Sequence, residues 1–362
     1  MKTPAFSTVD SRARISLKKI TRQIAKEKSD NGAAAPGRLR ILSIDGGGMR
    51  ALLPAVFLAK LEERLQQLSG DPQARVADHF DLFCGTSAGG ILTSLYLTPD
   101  SQQPTRPRYS ARQVLQLYLK GGCDSFTVPH TDPAARRKEK YNATSFEDRL
   151  KYALGADVRL GQWIRPALLT AFDQDREMPH FFKSWQHTHL LGWQAVRATS
   201  AAPGIFRPAQ YQELLDGRML VDGSVFAGNP AMCAYTLASS LHFSKIKHFQ
   251  FQTDRPSAEN MLMVSVGTGK IPVATEDKAQ GIRQMMKNLM SSGIDLVDHQ
   301  LRLLFSHQGN EAYFRFNPLL PLSEAAVDNA GPRYVNTLIR TATGYFEEHQ
   351  EKMDQLITQL LM

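Results

Sequence analysis

Three cysteines, Cys84, Cys123 and Cys233, are too few and too scattered for a disulfide framework, and they form no CxxC pair that would read as a zinc site. They are expected to be reduced, with Cys84 acting as a small apolar residue. Long apolar runs are missing too. The longest, Ala51 to Ala59, falls well short of the ~18 residues of a membrane-spanning helix, and the N-terminus lacks the apolar core of a signal peptide. The expected location is therefore cytoplasmic. Several ligand motifs are absent as well. The only Gly-Lys pair, Gly269-Lys270, is followed by Ile271, so there is no GxxxxGK[ST] loop, and no GxGxxG follows the first strand. Without HExxH or an EF-hand-like acidic run, no metal is expected in catalysis, and His187 and His189 read as surface histidines.

Acidic residues are scarce at the front of the chain. Residues 1–38 hold nine Lys or Arg against three Asp or Glu, which is +6 of the total +8. Leu17, Ile20 and Ile24 recur there at helical spacing among Arg12, Arg14, Lys18, Lys19, Arg22, Lys26 and Lys28. Such a segment either lies on an anionic membrane surface or packs on its own domain. The body that follows is nearly neutral, which argues against a nucleic-acid polymer as partner.

Glycine is placed where chemistry needs it. The apolar run Leu39-Ile41-Leu42-Ile44 enters Asp45-Gly46-Gly47-Gly48-Met49-Arg50, and a second, Phe80-Leu82-Phe83, enters Gly85-Thr86-Ser87-Ala88-Gly89. The second pattern is Gly-x-Ser-x-Gly between a strand and a helix, Ala88–Leu97, the setting of a nucleophile elbow that exposes Ser87. Alone it also describes a glycine turn capped by serine. The three-glycine loop shifts the balance, because its backbone N–H groups can converge as an oxyanion hole. A Cβ at Gly47 would obstruct that hole or force the loop out of a positive φ.

The remaining pattern is α/β. Leu53 to Leu68 mark one face of a helix ending at Gly70, Gln113–Lys120 form a short helix, and Thr144-x-x-Glu147 is a capping-box pattern opening a helix to Leu154. Ile164–Phe172 and His180–Trp185 read as strands, and 214–221 as a hairpin turning at Asp216-Gly217. The hairpin delivers Asp222-Gly223-Ser224. Beyond Lys270 the chain reads as helical around a short Tyr313–Phe316 strand. The serine arrives on only the second strand, which disfavours an α/β-hydrolase fold.

Four blocks stand in order: Asp45 to Arg50, Gly85 to Gly89, Ser200-Ala201-Ala202-Pro203 and Val221-Asp222-Gly223. Together, over residues 39–270, they resemble the patatin-like phospholipase family. The resemblance implies a three-layer α/β/α sandwich and hydrolysis of fatty acyl esters of membrane phospholipids by a Ser-Asp dyad. It implies Ser87 as nucleophile, Asp222 as base, Gly85 and Gly89 as the elbow glycines, and Gly46, Gly47, Gly48 and Arg50 as the oxyanion and phosphate-facing loop. One departure stands out: Ser224 occupies the third position of the family's Asp-Gly-Gly/Ala block. On this reading the chain divides into a basic extension 1–38, a catalytic domain 39–270 and a helical region 271–362 packed on the same domain.

In size and block layout the chain also resembles bacterial patatin-like effectors of anti-phage defence that are switched on by a cyclic dinucleotide such as cyclic GMP-AMP (cGAMP). That resemblance implies a latent enzyme acting on the inner face of the cell membrane, oligomerising on activation, with Arg136 and Arg137 among the candidate contacts for the activator. The alternatives are a constitutive lipid acyl hydrolase, a non-catalytic phosphate-binding module, and a triad using His242, His248, His299 or His307. If the basic arm meets membrane, deleting residues 1–30 weakens binding to anionic vesicles at low salt more than it changes hydrolysis of a soluble ester. Equal losses in a vesicle-sedimentation assay and an ester assay would place the arm in the fold.

Overall fold

The computed structural model describes residues 37–126, 139–246, 251, 254–272, 282–306 and 312–362. The basic arm up to residue 36, Arg136, Arg137, His248 and His307 lie outside the described residues.

A seven-stranded sheet carries the molecule. Its strands are β1 (Leu39–Ile44), β2 (Leu82–Thr86), β3 (Ala167–Asp173), β4 (Met178–Lys183), β5 (Leu220–Asp222), β6 (Met261–Val266) and β7 (Tyr313–Phe316). They run in the order β4-β3-β2-β1-β6-β7, with β5 also on β3. The pairs β1–β2, β1–β6, β2–β3 and β6–β7 are parallel, while β4 and β5 join β3 antiparallel. Strands buried on both faces must be apolar throughout, and β1, β2 and β6 are.

Side-chain alternation sorts two cores. Leu42 and Ile44 of β1 and Leu262, Val264 and Val266 of β6 face one layer, while Leu39, Ile41, Met261 and Met263 face the other. The first layer is thick. It holds α1 (Leu52–Ser69), α2 (Ala88–Leu97), α3 (Ala111–Ser125), α4 (Ala143–Leu154), α5 (Gly192–Thr199), α8 (Pro332–Glu348) and α9 (Gln350–Leu361). The second is thin, with α6 (Ala231–Ser240) and α7 (Ile282–Ser306). Two packed faces around one sheet make the three-layer α/β/α sandwich.

The local signals work as physical chemistry requires, with some shifts. Gly70 ends α1 in the left-handed region at φ 72°. Helix α3 is longer than the expected Gln113–Lys120 because Ser110 and Gln113 form a reciprocal capping box one turn earlier. Helix α4 is capped by Asn142, whose side chain accepts from Ser145 N–H, not by Thr144. The 214–221 hairpin is replaced by a one-turn 3-10 helix, Leu215–Gly217, with Ala209 and Leu220 bridging on either side.

The chain order β2-β1-β6 reverses direction at β1, and open parallel sheets place their crevice at the carboxyl ends of strands beside such a reversal. The glycine loop leaves β1 there. Its first residue, Asp45, is buried and gripped by Arg315 of β7 through two hydrogen bonds of 2.9 and 2.6 Å, and Arg315 also donates to Ser265 Oγ at 2.8 Å. A buried pair of this kind is costly to break singly. Arg315→Met should destabilise the fold by about 3–5 kcal/mol, and Asp45→Asn in the same chain should recover much of the loss, measured by urea unfolding.

Candidate active site

Strand β3 brings the two candidate groups together. Along one of its edges β2 pairs as far as Thr86 opposite Thr170, and at the next residue, Ala171, β5 takes over with Asp222. Ser87 follows Thr86 directly, so the end of β2 and the end of β5 meet on consecutive positions of one strand. The handover is reinforced by Thr86 Oγ1, which is 2.6 Å from Thr170 Oγ1 and donates to Ala227 O at 2.8 Å.

Ser87 adopts φ 55°, ψ −125°, a strained conformation at the N-terminus of α2, and is 8% exposed. Its N–H donates to Thr199 Oγ1 at 2.9 Å. Its hydroxyl hydrogen bonds to the Asp222 carboxylate. Gly85 and Gly89 make the elbow possible by close approach: a Cβ on Gly85 would fall 2.5 Å from Gly89 O, and one on Gly89 would fall 2.2 Å from Ile44 O.

Asp222 is 1% exposed, and its N–H donates to Ala201 O in the Ser200-Ala201-Ala202-Pro203 block. Burial pushes its carboxyl up to about 6, against the pull of hydrogen bonds from the Ser87 hydroxyl and from the Ser224 N–H and hydroxyl. Nothing on the chain brings a histidine here. His242 pairs with Asp254 at 3.0 Å, on the connection after α6, and His299 lies on the exposed face of α7. His187 Nδ1 accepts from Lys183 N–H at 3.2 Å, and His189 is exposed.

The glycine loop lies over the elbow. A Cβ on Gly46 would stand 3.3 Å from Ser87 Cβ, so the two backbones are in contact range. The expected three donors reduce to two, however. Gly46 N–H is spent on Gly228 O at 2.9 Å, whereas the amides of Gly47 and Gly48 have no acceptor among the described residues. The left-handed residue is Gly48, at φ 55°, where a Cβ would strike Val327 O at 2.1 Å. Gly47 is extended, and it is excluded from side chains by Thr268. Arg50 is half-buried; its Nε has no partner among the described residues, and burial lowers its pKa, with Tyr334 and Asp45 acting on it in the opposite sense.

Sequence reasoning missed the residues that hold this loop. Thr268 Oγ1 donates to Gly46 O at 2.5 Å, Tyr118 OH donates to Gly48 O at 2.8 Å, and Arg315 clamps Asp45. One signal was available: an arginine in the middle of the apolar strand Tyr313-Phe314-Arg315-Phe316 has to find a buried acid.

A serine on an elbow, a buried carboxylate and a glycine loop on an α/β/α sandwich define a hydrolase-type site. The sequence profile described as Patatin-like phospholipase matches residues 42–235, and the chain belongs to that family. Among curated relatives, it is similar to "Patatin-like protein 1" of Oryza sativa subsp. indica, 30% identical over 83% of this chain and 79% of that one. It is also similar to "Probable inactive patatin-like protein 9" of Arabidopsis thaliana, 28% identical over 72% and 68%. Of solved structures, human GIVD cytosolic phospholipase A2 aligns over 98% of this chain and 65% of its own at 11% identity, with a TM-score of 0.44. No helix among the described residues is long and apolar enough to cross a membrane.

The site costs stability. A carboxyl raised from 3.8 to about 6 in the fold binds its proton more tightly folded than unfolded. Its contribution is thus fully present below pH ~3.8 and is lost as pH rises through about 6. Asp222→Asn should therefore be more stable than the parent at pH 8, by on the order of 2 kcal/mol, and lose that advantage at pH 4, read from urea unfolding at both values.

Proposed function

We propose that this chain is a serine lipid acyl hydrolase that cleaves fatty acyl esters of membrane phospholipids with Ser87 as nucleophile and Asp222 as base. The observation that carries the reading is the hydrogen bond between the Ser87 hydroxyl and a buried carboxylate that titrates near 6. An ordinary carboxylate near ~3.9 is too weak a base for a serine hydroxyl, and burial brings this one toward neutral pH.

The chemistry then follows from the positions of the groups. Asp222 accepts the hydroxyl proton as Ser87 Oγ bonds to the ester carbonyl carbon, and the carbonyl oxygen becomes an oxyanion facing the Gly47 and Gly48 amides. Each such donor contributes ~2.7–4 kcal/mol to the transition state. Collapse breaks the bond to the lysophospholipid oxygen, which takes the proton back from Asp222. In the second half Asp222 removes a proton from water as the water oxygen attacks the acyl-serine. Fatty acid leaves, and Ser87 recovers its proton. An ester suits this dyad because its alcohol leaves more readily than an amine.

We infer further that the enzyme is latent and is released by a cyclic dinucleotide such as cGAMP in anti-phage defence, with Arg136 and Arg137 as candidate contacts. Supporting this is the burial of Ser87, which leaves little of the nucleophile open to an acyl chain. Moving an enzyme from 1:99 to 99:1 active requires a ligand preference of ~5.5 kcal/mol, which favours a large rearrangement or oligomerisation over a local loop shift.

One experiment addresses both levels: fatty-acid release from phospholipid vesicles by the purified protein, Ser87→Ala and Asp222→Ala, with and without a panel of cyclic dinucleotides. The expected result is release by the parent only when one dinucleotide is present, and at least a 10³-fold loss in each variant. Full release without ligand would leave a constitutive hydrolase. Retained activity in Asp222→Ala would overturn the dyad.

A further inference from the structure

Ser224 stands at the one position where the Asp222 block departs from its family's Gly or Ala. It lies in the 3-10 turn Gly223–Val225 that follows β5, and its backbone N–H donates to Asp222 Oδ1 at 2.7 Å. Its hydroxyl hydrogen bonds to the same carboxylate. That hydroxyl also faces the glycine loop: a Cβ on Gly46 would lie 2.7 Å from Ser224 Oγ and 3.3 Å from Ser87 Cβ. One side chain therefore fills the corner where the base, the nucleophile and the loop meet. A glycine or alanine would leave the carboxylate with the Ser87 hydroxyl and one backbone N–H.

We propose that Ser224 is a positioning residue of the dyad, its hydroxyl holding the Asp222 carboxylate in the orientation and charge state from which it accepts the Ser87 proton. The inference rests on the Ser87–Asp222 reading above.

The surroundings leave this task to neutral donors. The groups acting on the Asp222 carboxylate are Ser87 and Ser224, with no charged side chain among them. Charges on the elements around it are engaged elsewhere. On β3, Asp173 is paired with Arg218; on α5, Arg197 is turned toward Glu147 and Arg207 O; at the loop, Asp45 is held by Arg315. With no cation to stabilise the ionised form, each hydrogen-bond donor counts for more, because a donor to a buried ionised acceptor is about twice as strong as a neutral one. Without the hydroxyl, the carboxylate is protonated over a wider pH range and less of it is available as a base.

The test is the pH dependence of Ser87 labelling by a fluorophosphonate probe, which needs no lipid surface, in the parent, Ser224→Ala, Ser224→Gly and Ser224→Thr. The parent should show an acid limb near pH 6. In Ser224→Ala and Ser224→Gly the limb should move toward 7, so that labelling at pH 6 slows about fivefold while the rate at pH 8.5 stays near the parent's. Ser224→Thr, which keeps the hydroxyl, should return the limb to its place. An unmoved limb in Ser224→Ala and Ser224→Gly, or a rate lowered equally at every pH, would overturn the proposal. Failure of the parent itself to label at Ser87 would instead overturn the dyad reading on which it rests.

Discussion

The structure depends on a handover along one edge of β3. Strand β2 occupies that edge up to Thr170 and β5 occupies it from Ala171, with 133 residues of chain between Thr86 and Leu220 folded out of the way. Neither strand could extend without displacing the other. Strand β2 ends because Ser87 turns the chain through a strained elbow, and that ending vacates the positions that Asp222 needs. The elbow and the base are thus two results of one geometric constraint.

Around that point the molecule buries charge where a stability-minded design would not. Asp45 and Arg315 are 1% and 5% exposed, and Asp222 is buried with no cation beside it. Replacing buried ion pairs with apolar residues is often neutral or stabilising, so their retention reflects position more than energy. Arg315 fixes the first residue of the glycine loop from a strand two places away, and Thr268 fixes the second from the strand between. The loop is held from behind, which leaves the Gly47 and Gly48 amides directed away from the sheet.

Much of this was legible in the sequence, and what was missed shares one cause. Helix α2 and strand β7 fall where Ala88–Leu97 and Tyr313–Phe316 were expected, because apolar periodicity and glycine punctuation are local signals. The blocks around Ser87 and Asp222 were visible for the same reason. The cap of α4 shifted from Thr144 to Asn142 because two capping residues two positions apart compete and tertiary packing decides between them. Which glycine amides stay free depends on Gly228, 182 residues after Gly46, and no local pattern reports that. The clamp on Asp45 is equally non-local. Sequence indicates which residues are chemically able to act; the partners that aim them come from strands far along the chain.

The central strand is among the first to be synthesised and among the last to be enclosed. Strand β1 has β6 on one side, 222 residues downstream from Leu39 to Met261, and Arg40 reaches Leu360 O near the C-terminus. A chain emerging from the ribosome therefore carries β1 with an open edge for most of its synthesis, a long-range closure of the kind that slows folding. The loop that would hold the oxyanion stays unclamped until Arg315 has been made. A phospholipase assembled in this order has no organised site while it is still a nascent chain, and a truncated product that lacks β7 is left without the clamp as well.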